Sequence, residues 1–253
     1  LANIRETDAI LHVLRCFDND NVVHVDGSVD PIRDKEVIDI ELQLKDLETV
    51  EKKLDKVSRA ARTGDKAAKK EEAALLHIKQ YLEAGKSVRA CQFGEEEYLD
   101  YVKPLQLITD KPVLYVCNVD ENSAVNGNTY VDKVKDAVKH EEAEVLVLAV
   151  ATEADINELD DYEERKMFLE DIGLDEPGSS KLIRAAYKLL KQQTYFTAGK
   201  KEVRAWTITI DDTAPKAAGV IHTDFEKGFI RAEVTAYDDY VNSNGEAGAK
   251  EKG

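Results

Sequence analysis

Pro112-Val113-Leu114-Tyr115-Val116-Cys117-Asn118-Val119-Asp120-Glu121 is the stretch that decides the fold. Its apolar run is short, unbroken and stopped by a polar loop that begins at Asn118. Such a run predicts a strand buried on both faces, the kind that parallel sheets are made of. Upstream, Ala9-Ile10-Leu11-His12-Val13-Leu14-Arg15-Cys16-Phe17 has the same character and ends at Asn19-Asp20-Asn21. Downstream, Val145-Leu146-Val147-Leu148-Ala149-Val150 repeats it. Helical patterns at about 130–139, 156–171 and 180–192 alternate with these runs. Strand and helix in alternation predict an α/β domain on a parallel sheet.

Between the first two strands lies a long helical stretch. Asp26-Gly27-Ser28 and Pro31 mark a loop, after which Val37, Ile40, Leu44, Leu47, Val50, Leu54 and Val57 recur at spacings of three and four. That is a coiled-coil-like seam with charge on the other faces. Thr63-Gly64-Asp65 breaks it, and a second helix carries Ala74, Leu75, Ile78 and Leu82 up to a stop at Gly85. The expectation is an antiparallel helical hairpin inserted into the sheet domain as a projecting arm; a helical layer of the core is the alternative. A short helix near 95–102, broken at Pro104, leads back to the sheet. After Thr194 the pattern turns β-rich, with strands expected at 202–210 and 229–237 and a polar end from Gly245 without regular structure. The chain thus divides into a sheet domain of residues 1–28 and 105–192, an arm of residues 29–104 and a small α+β module of residues 193–253.

Composition narrows the class of function. The chain has 253 residues, 43% of them hydrophobic, and no apolar run approaches the roughly 20 residues of a membrane span. Cys16, Cys91 and Cys117 are scattered without a CxxC pair, and the five histidines show no HxH or HxxxH spacing. A disulfide framework and a zinc site are both disfavoured, and a reducing cytoplasm is the expected setting. The formal charge is −16, which argues against casual binding to RNA or anionic lipid. That charge is uneven. Residues 140–176 hold 14 acids against Arg165 and Lys166, a solvated acidic face. Residues 52–70 hold eight Lys or Arg against Asp55 and Asp65, a net of +6 beside the hairpin turn. Lys52, Lys53, Arg59 and Arg62 are the candidate contacts of that patch with a polyanion such as ribosomal RNA.

Ligands of parallel α/β proteins bind in the loops at the carboxyl ends of the strands. Two loops qualify: Asn118-Val119-Asp120-Glu121, and Ala149-Val150-Ala151-Thr152-Glu153. An Asn directly after a strand can hold a purine edge through its amide, or it can merely cap its loop. The spacing leaves both open.

Asn118-Val119-Asp120-Glu121 resembles the NxxE base-recognition motif of the YchF family of Obg-like ATPases, where ordinary GTPases carry NKxD. Asn3-Ile4-Arg5-Glu6-Thr7-Asp8-Ala9-Ile10, Arg15-Cys16-Phe17 and Glu153-Ala154-Asp155-Ile156 resemble the same family. So do Gln193-Thr194-Tyr195-Phe196-Thr197-Ala198-Gly199, Lys201-Glu202-Val203-Arg204-Ala205-Trp206-Thr207-Ile208 and the long run Gly219 to Ala232. The resemblance covers nearly the whole chain. It implies a G-domain interrupted by a coiled-coil arm and followed by a TGS module. It also implies that Asn118 faces the base edge, that the backbone of Val119 contacts adenine, and that Ala151 belongs to the loop closing over the base. By the same resemblance, Glu121 standing where NKxD has Asp, and Val119 where it has Lys, imply a relaxed demand for guanine and a preference for ATP over GTP. The family's work with the ribosome, and Mg²⁺ bound with ATP, are implied in the same way.

The departures matter too. No GxxxxGK[ST] occurs in these 253 residues, so a phosphate cradle and the Mg²⁺-binding hydroxyl are expected outside them. Asp175-Glu176-Pro177-Gly178 matches DxxG by letter but falls between two helices and reads as a loop. The chain is accordingly expected to be part of a longer protein, short of the P-loop and of the last TGS strands, and inactive alone. Two rivals stand beside the ATPase reading: a non-catalytic ribosome-binding adaptor, and a conventional Obg-type GTPase with a drifted base motif.

Overall fold

The computed structural model describes all residues except Leu1, Asp26, Glu142, Lys200 and Gly253, together with the backbone alone of Ala2; Asp26 of the expected loop thus lies outside the described residues. Two compact units divide the chain, Leu1–Leu190 and Lys191–Gly253.

The first unit begins with α1 (Ala2–Arg5), β1 (Ile10–Arg15), α2 (Pro31–Arg62), α3 (Lys66–Glu83) and α4 (Glu95–Glu97), which continues as π and 3₁₀ turns through Leu105, so the short helix expected near 95–102 is present. It continues with β2 (Val113–Asn118), α5 (Thr129–Val138), β3 (Glu144–Leu148), α6 (Val150–Glu158), α7 (Tyr162–Asp171) and α8 (Gly178–Leu189). The three strands form a parallel sheet in the order β1-β2-β3. Arg15 pairs with Asn118, and Asn118 with Leu148, so all three carboxyl ends meet at one edge. β2 is central and Val113 to Cys117 are all buried. On one face Leu14, Tyr115 and Cys117 pack against Val131, Val134 and Val138 of α5; on the other, Leu114, Val116 and Leu148 pack against Ala185 of α8. Burial on both faces is why the run is apolar throughout.

Two departures follow from local chemistry. The expected helix over 156–171 is two helices separated at 159–161, because Asp161 caps α7 by accepting from the N–H groups of Glu163 and Glu164. The third strand stops at Leu148, and Val150 already opens α6.

Helix α2 starts on an Asp30 cap with Pro31 at its first position. Gly64, at φ +97°, makes the turn, and Asp65 caps α3. Gly85, at φ +71°, ends the hairpin, with Lys86 N–H returning to Tyr81 O. The seam holds for its second half, where Val50, Val57 and Ala61 bury against Ala68, Leu75, Ile78 and Leu82. Its first half does not. Val37, Ile40 and Leu44 are each more than half exposed, and the buried face there belongs to Lys35, Gln43 and Asp46. The buried polar groups are all engaged. Asp46 accepts from Ile108 N–H, Thr109 N–H and Thr109 Oγ1 at 2.9, 2.7 and 2.8 Å, and Gln43 donates to Gly85 O at 3.2 Å. Lys35 reaches Asp39 and Glu141 at 2.7 Å each, and Tyr115 donates its hydroxyl to Glu141 at 2.6 Å. The root of α2 is therefore bonded to the sheet domain by charge and hydrogen bonds, not by an apolar seam.

The second unit holds the antiparallel pair β4 (Gln192–Ala198) and β5 (Val203–Thr209), with Trp206 Nε1 donating to Thr197 Oγ1 at 2.9 Å. It continues with α9 (Ala214–Gly219), α10 (Thr223–Lys227), α11 (Tyr237–Asn242) and α12 (Glu246–Lys252). The strand expected at 229–237 is corrected: 229–236 form no ladder, and Tyr237 opens α11. Ile230 and Val234 face one way as in a strand, but no described strand pairs with residues 229–236, and a strand without a partner has no ladder to join. The polar end from Gly245 is likewise corrected to a helix, carried by Glu246 and Lys250 at 2.7 Å, one turn apart.

Candidate nucleotide-base site

The carboxyl edge of the sheet is built from three short loops. Asn118 ends β2; its carbonyl accepts from Cys16 N–H at 2.7 Å, which fixes it to the end of β1. Its side-chain Oδ1 accepts from Val150 N–H at 3.1 Å, which fixes it to the first turn of α6. The amide Nδ2 is left for an acceptor beyond the loop. Val119 is buried among Cys16, Cys117 and Val131, and its N–H donates to Leu148 O at 2.9 Å. Among the described residues its carbonyl accepts no backbone hydrogen bond.

Asp120 turns the chain by accepting from Ser123 N–H at 3.0 Å, and Glu121 sits exposed on the turn that follows. Ala151 is exposed in the first turn of α6, one residue beyond Val150. The structure thus joins Asn118 directly to the loop of Ala151 and leaves Glu121 on the outer side. At the end of β1, Arg15 stacks its guanidinium 4.8 Å from the Phe17 ring and donates to the carbonyls of Phe17, Asn19 and Val22. A shallow cavity of about 280 Å³ lies here, lined in part by Arg15, Asp18, Asn19 and His24.

Three residues hold this edge in roles that the sequence alone does not assign: Asn128 is not singled out by it, Glu153 is placed only in its loop, and Gly178 reads as part of a loop. Asn128 caps α5 and donates Nδ2 to Cys16 O at 2.8 Å, tying the end of β1 to the helix after the motif. Glu153 accepts from Gly178 N–H at 2.6 Å and Ser179 N–H at 2.9 Å, so it caps α8 from another helix. Gly178, in the DxxG look-alike, is buried at the first position of α8. A sequence signal existed for the last two: α8 starts on Pro177-Gly178 with no capping side chain of its own.

The polyanion candidates lie beside the hairpin turn. Lys52, Arg59 and Arg62 are exposed, whereas Lys53 is half-buried and pairs with Glu71 at 2.8 Å. Among the described residues no three His, Cys, Asp or Glu side chains converge on a point where a metal could sit. No helix among the described residues is long and apolar enough to cross a membrane.

Residues 192–253 match the family model YchF-GTPase_C, described as a protein of unknown function (DUF933). Over its full length the chain is 52% identical to the ribosome-binding ATPase YchF of Haemophilus ducreyi, covering 69% of that protein. It is 49% identical to the protein of the same name in Bacillus subtilis, again covering 69%. To Obg-like ATPase 1 of Gallus gallus it is 38% identical, over 65% of that protein. The solved structure of the Schizosaccharomyces pombe YchF GTPase superposes on 99% of the chain at a TM-score of 0.86 and 34% identity, with 68% of that chain covered. Identity near one half along the entire chain, on a matching fold, leaves one assignment: the chain belongs to the YchF family of Obg-like ATPases.

Proposed function

We propose that this protein, with its P-loop supplied from outside residues 1–253, is a cytoplasmic, ribosome-associated ATPase that hydrolyses GTP more weakly and uses the nucleotide as a conformational switch. Residues 29–104 are its arm, residues 193–253 its TGS module, and residues 1–28 and 105–192 the part of the G-domain that holds the base. The names of the relatives support the ribosome and ATP. The observation that carries the reading is the Asn118 latch: Oδ1 is engaged by Val150 N–H, so Nδ2 is turned to donate to a ring nitrogen of a purine. The free carbonyl of Val119 then suits the amino group at C6 of adenine and repels the carbonyl that guanine carries there. Ala151 covers the base, and Glu121, displaced onto an exposed turn, does not hold the guanine N1 and N2 hydrogens as a shorter Asp would.

The open edge of β1 supports the rest. Leu11 and Val13 are exposed on it, at 44% and 58%, a face and edge suited to a further strand and helix that carry the P-loop. Mg²⁺ would be held with ATP at the P-loop, outside residues 1–253. Asn118→Ala in the natural full-length protein should weaken ATP binding at least tenfold by calorimetric titration, about 1.4 kcal/mol, without lowering the affinity for inorganic tripolyphosphate. Unchanged ATP affinity would remove Asn118 from the site.

A further inference from the structure

We propose that Glu153 is a positioning residue for the purine base, and that Gly178 is the residue whose missing side chain lets it act. The inference rests on the base-site reading above and adds what holds that site in shape. The base loop is the first turn of α6, and it is gripped at two points. Asn118 holds Val150 from the sheet side. One turn on, Glu153 spans both backbone donors at the start of α8, at 2.6 and 2.9 Å. Those donors belong to a 12-residue helix with no capping side chain of its own, so the bonds are charge-assisted and favoured by the helix dipole. Helix α8 is itself fixed to the sheet, through Ala185, Leu182 and Leu189 against Leu114, Val116 and Leu148. The loop carrying Val150 and Ala151 is therefore strung between two rigid anchors.

Gly178 sets the distance between them. A Cβ at this position would stand 2.0 Å from Leu148 Cδ2 and 2.9 Å from Glu153 Oε1. Leu148 is the register partner of Asn118. A side chain at 178 could not coexist with Leu148 Cδ2 and Glu153 Oε1 where they stand, so either α8 moves off the strand end that pairs with Asn118 or the carboxylate that holds α6 is displaced. Close approach of backbone is what glycine permits. The DxxG look-alike thus owes its glycine to the base loop and not to a phosphate.

A cap that served stability alone would leave ligand preference untouched, so the test compares ligands. The natural full-length protein is titrated with ATP and with inorganic tripolyphosphate, which has the charge without the base. Glu153→Ala and Gly178→Ala should each lower ATP affinity at least tenfold and leave tripolyphosphate affinity within twofold. Glu153→Gln keeps one acceptor and the shape, and should lose about threefold in ATP affinity. Asp155→Ala, exposed on the same helix, should change neither. If Glu153→Ala does not fold, Glu153→Gln and Gly178→Ala carry the comparison. An unchanged ratio of ATP to tripolyphosphate affinity in the folded variants overturns the proposal. A wild-type protein that binds ATP no more tightly than tripolyphosphate would instead overturn the base-site reading beneath it.

Discussion

Glu141 shows how one half-buried carboxylate can tie helix α2 to the sheet. Burial alone would raise its pKa, but hydrogen bonds from the Lys35 ammonium and the Tyr115 hydroxyl outweigh burial and hold it below the ordinary 4.5. A carboxylate depressed by folding stabilises the fold fully above its ordinary pKa, and that contribution disappears as pH falls through the depressed folded value. Glu141→Gln should therefore cost roughly 2 kcal/mol at pH 7. In urea unfolding the gap to the unsubstituted protein should close as pH falls below about 4. A gap that stays constant across that range would mean that the charge contributes nothing. At this scale the sequence was only partly legible. Asn118 stood out because it follows a strand directly; Glu153 and Gly178 are 25 positions apart, and only the fold brings them into one bond.

At the scale of elements, β2 could be read in advance because a strand buried on both faces leaves no position for a polar residue, and β1 and β3 because their short apolar runs are bounded by polar residues. The half-seam of α2 could not. Periodicity shows that a helix has an apolar stripe, but packing decides which face meets a partner. Near the sheet, Lys35, Gln43 and Asp46 found bonded partners, and Val37, Ile40 and Leu44 were left outside. The alternation at 229–236 failed for a related reason, since a strand pattern without a neighbour forms no ladder. The hairpin turn carries its own prediction. Lys52, Arg59 and Arg62 are exposed and free to meet phosphates, while Lys53 must first leave Glu71. Changing Lys52, Lys53, Arg59 and Arg62 to Glu should weaken co-sedimentation with ribosomes and flatten its salt dependence, with ATP affinity intact. Of the four, Lys53 should matter least when changed singly. Sedimentation unaffected by the fourfold change would make the turn a solvated end.

For the whole molecule, the base is held in one stretch of chain and phosphate is transferred in another. Residues 1–253 contain the loops of Asn118 and Ala151 but no GxxxxGK[ST], and phosphoryl transfer is catalysed by groups that stabilise charge on the phosphates. Purified residues 1–253 should release no phosphate from ATP above the buffer rate in a sensitive phosphate assay; turnover would place a catalytic site within them. A net charge of −16 with a +6 cluster beside the hairpin turn should orient the protein turn-first towards a polyanion. The most direct test of the account is base choice, because it follows from Asn118, Val119 and Glu121 together. In paired calorimetric titrations of the natural full-length protein, ATP should bind more tightly than GTP. GTP binding tenfold tighter than ATP, a reversal of about 1.4 kcal/mol, would contradict the account and return the protein to the ordinary GTPases.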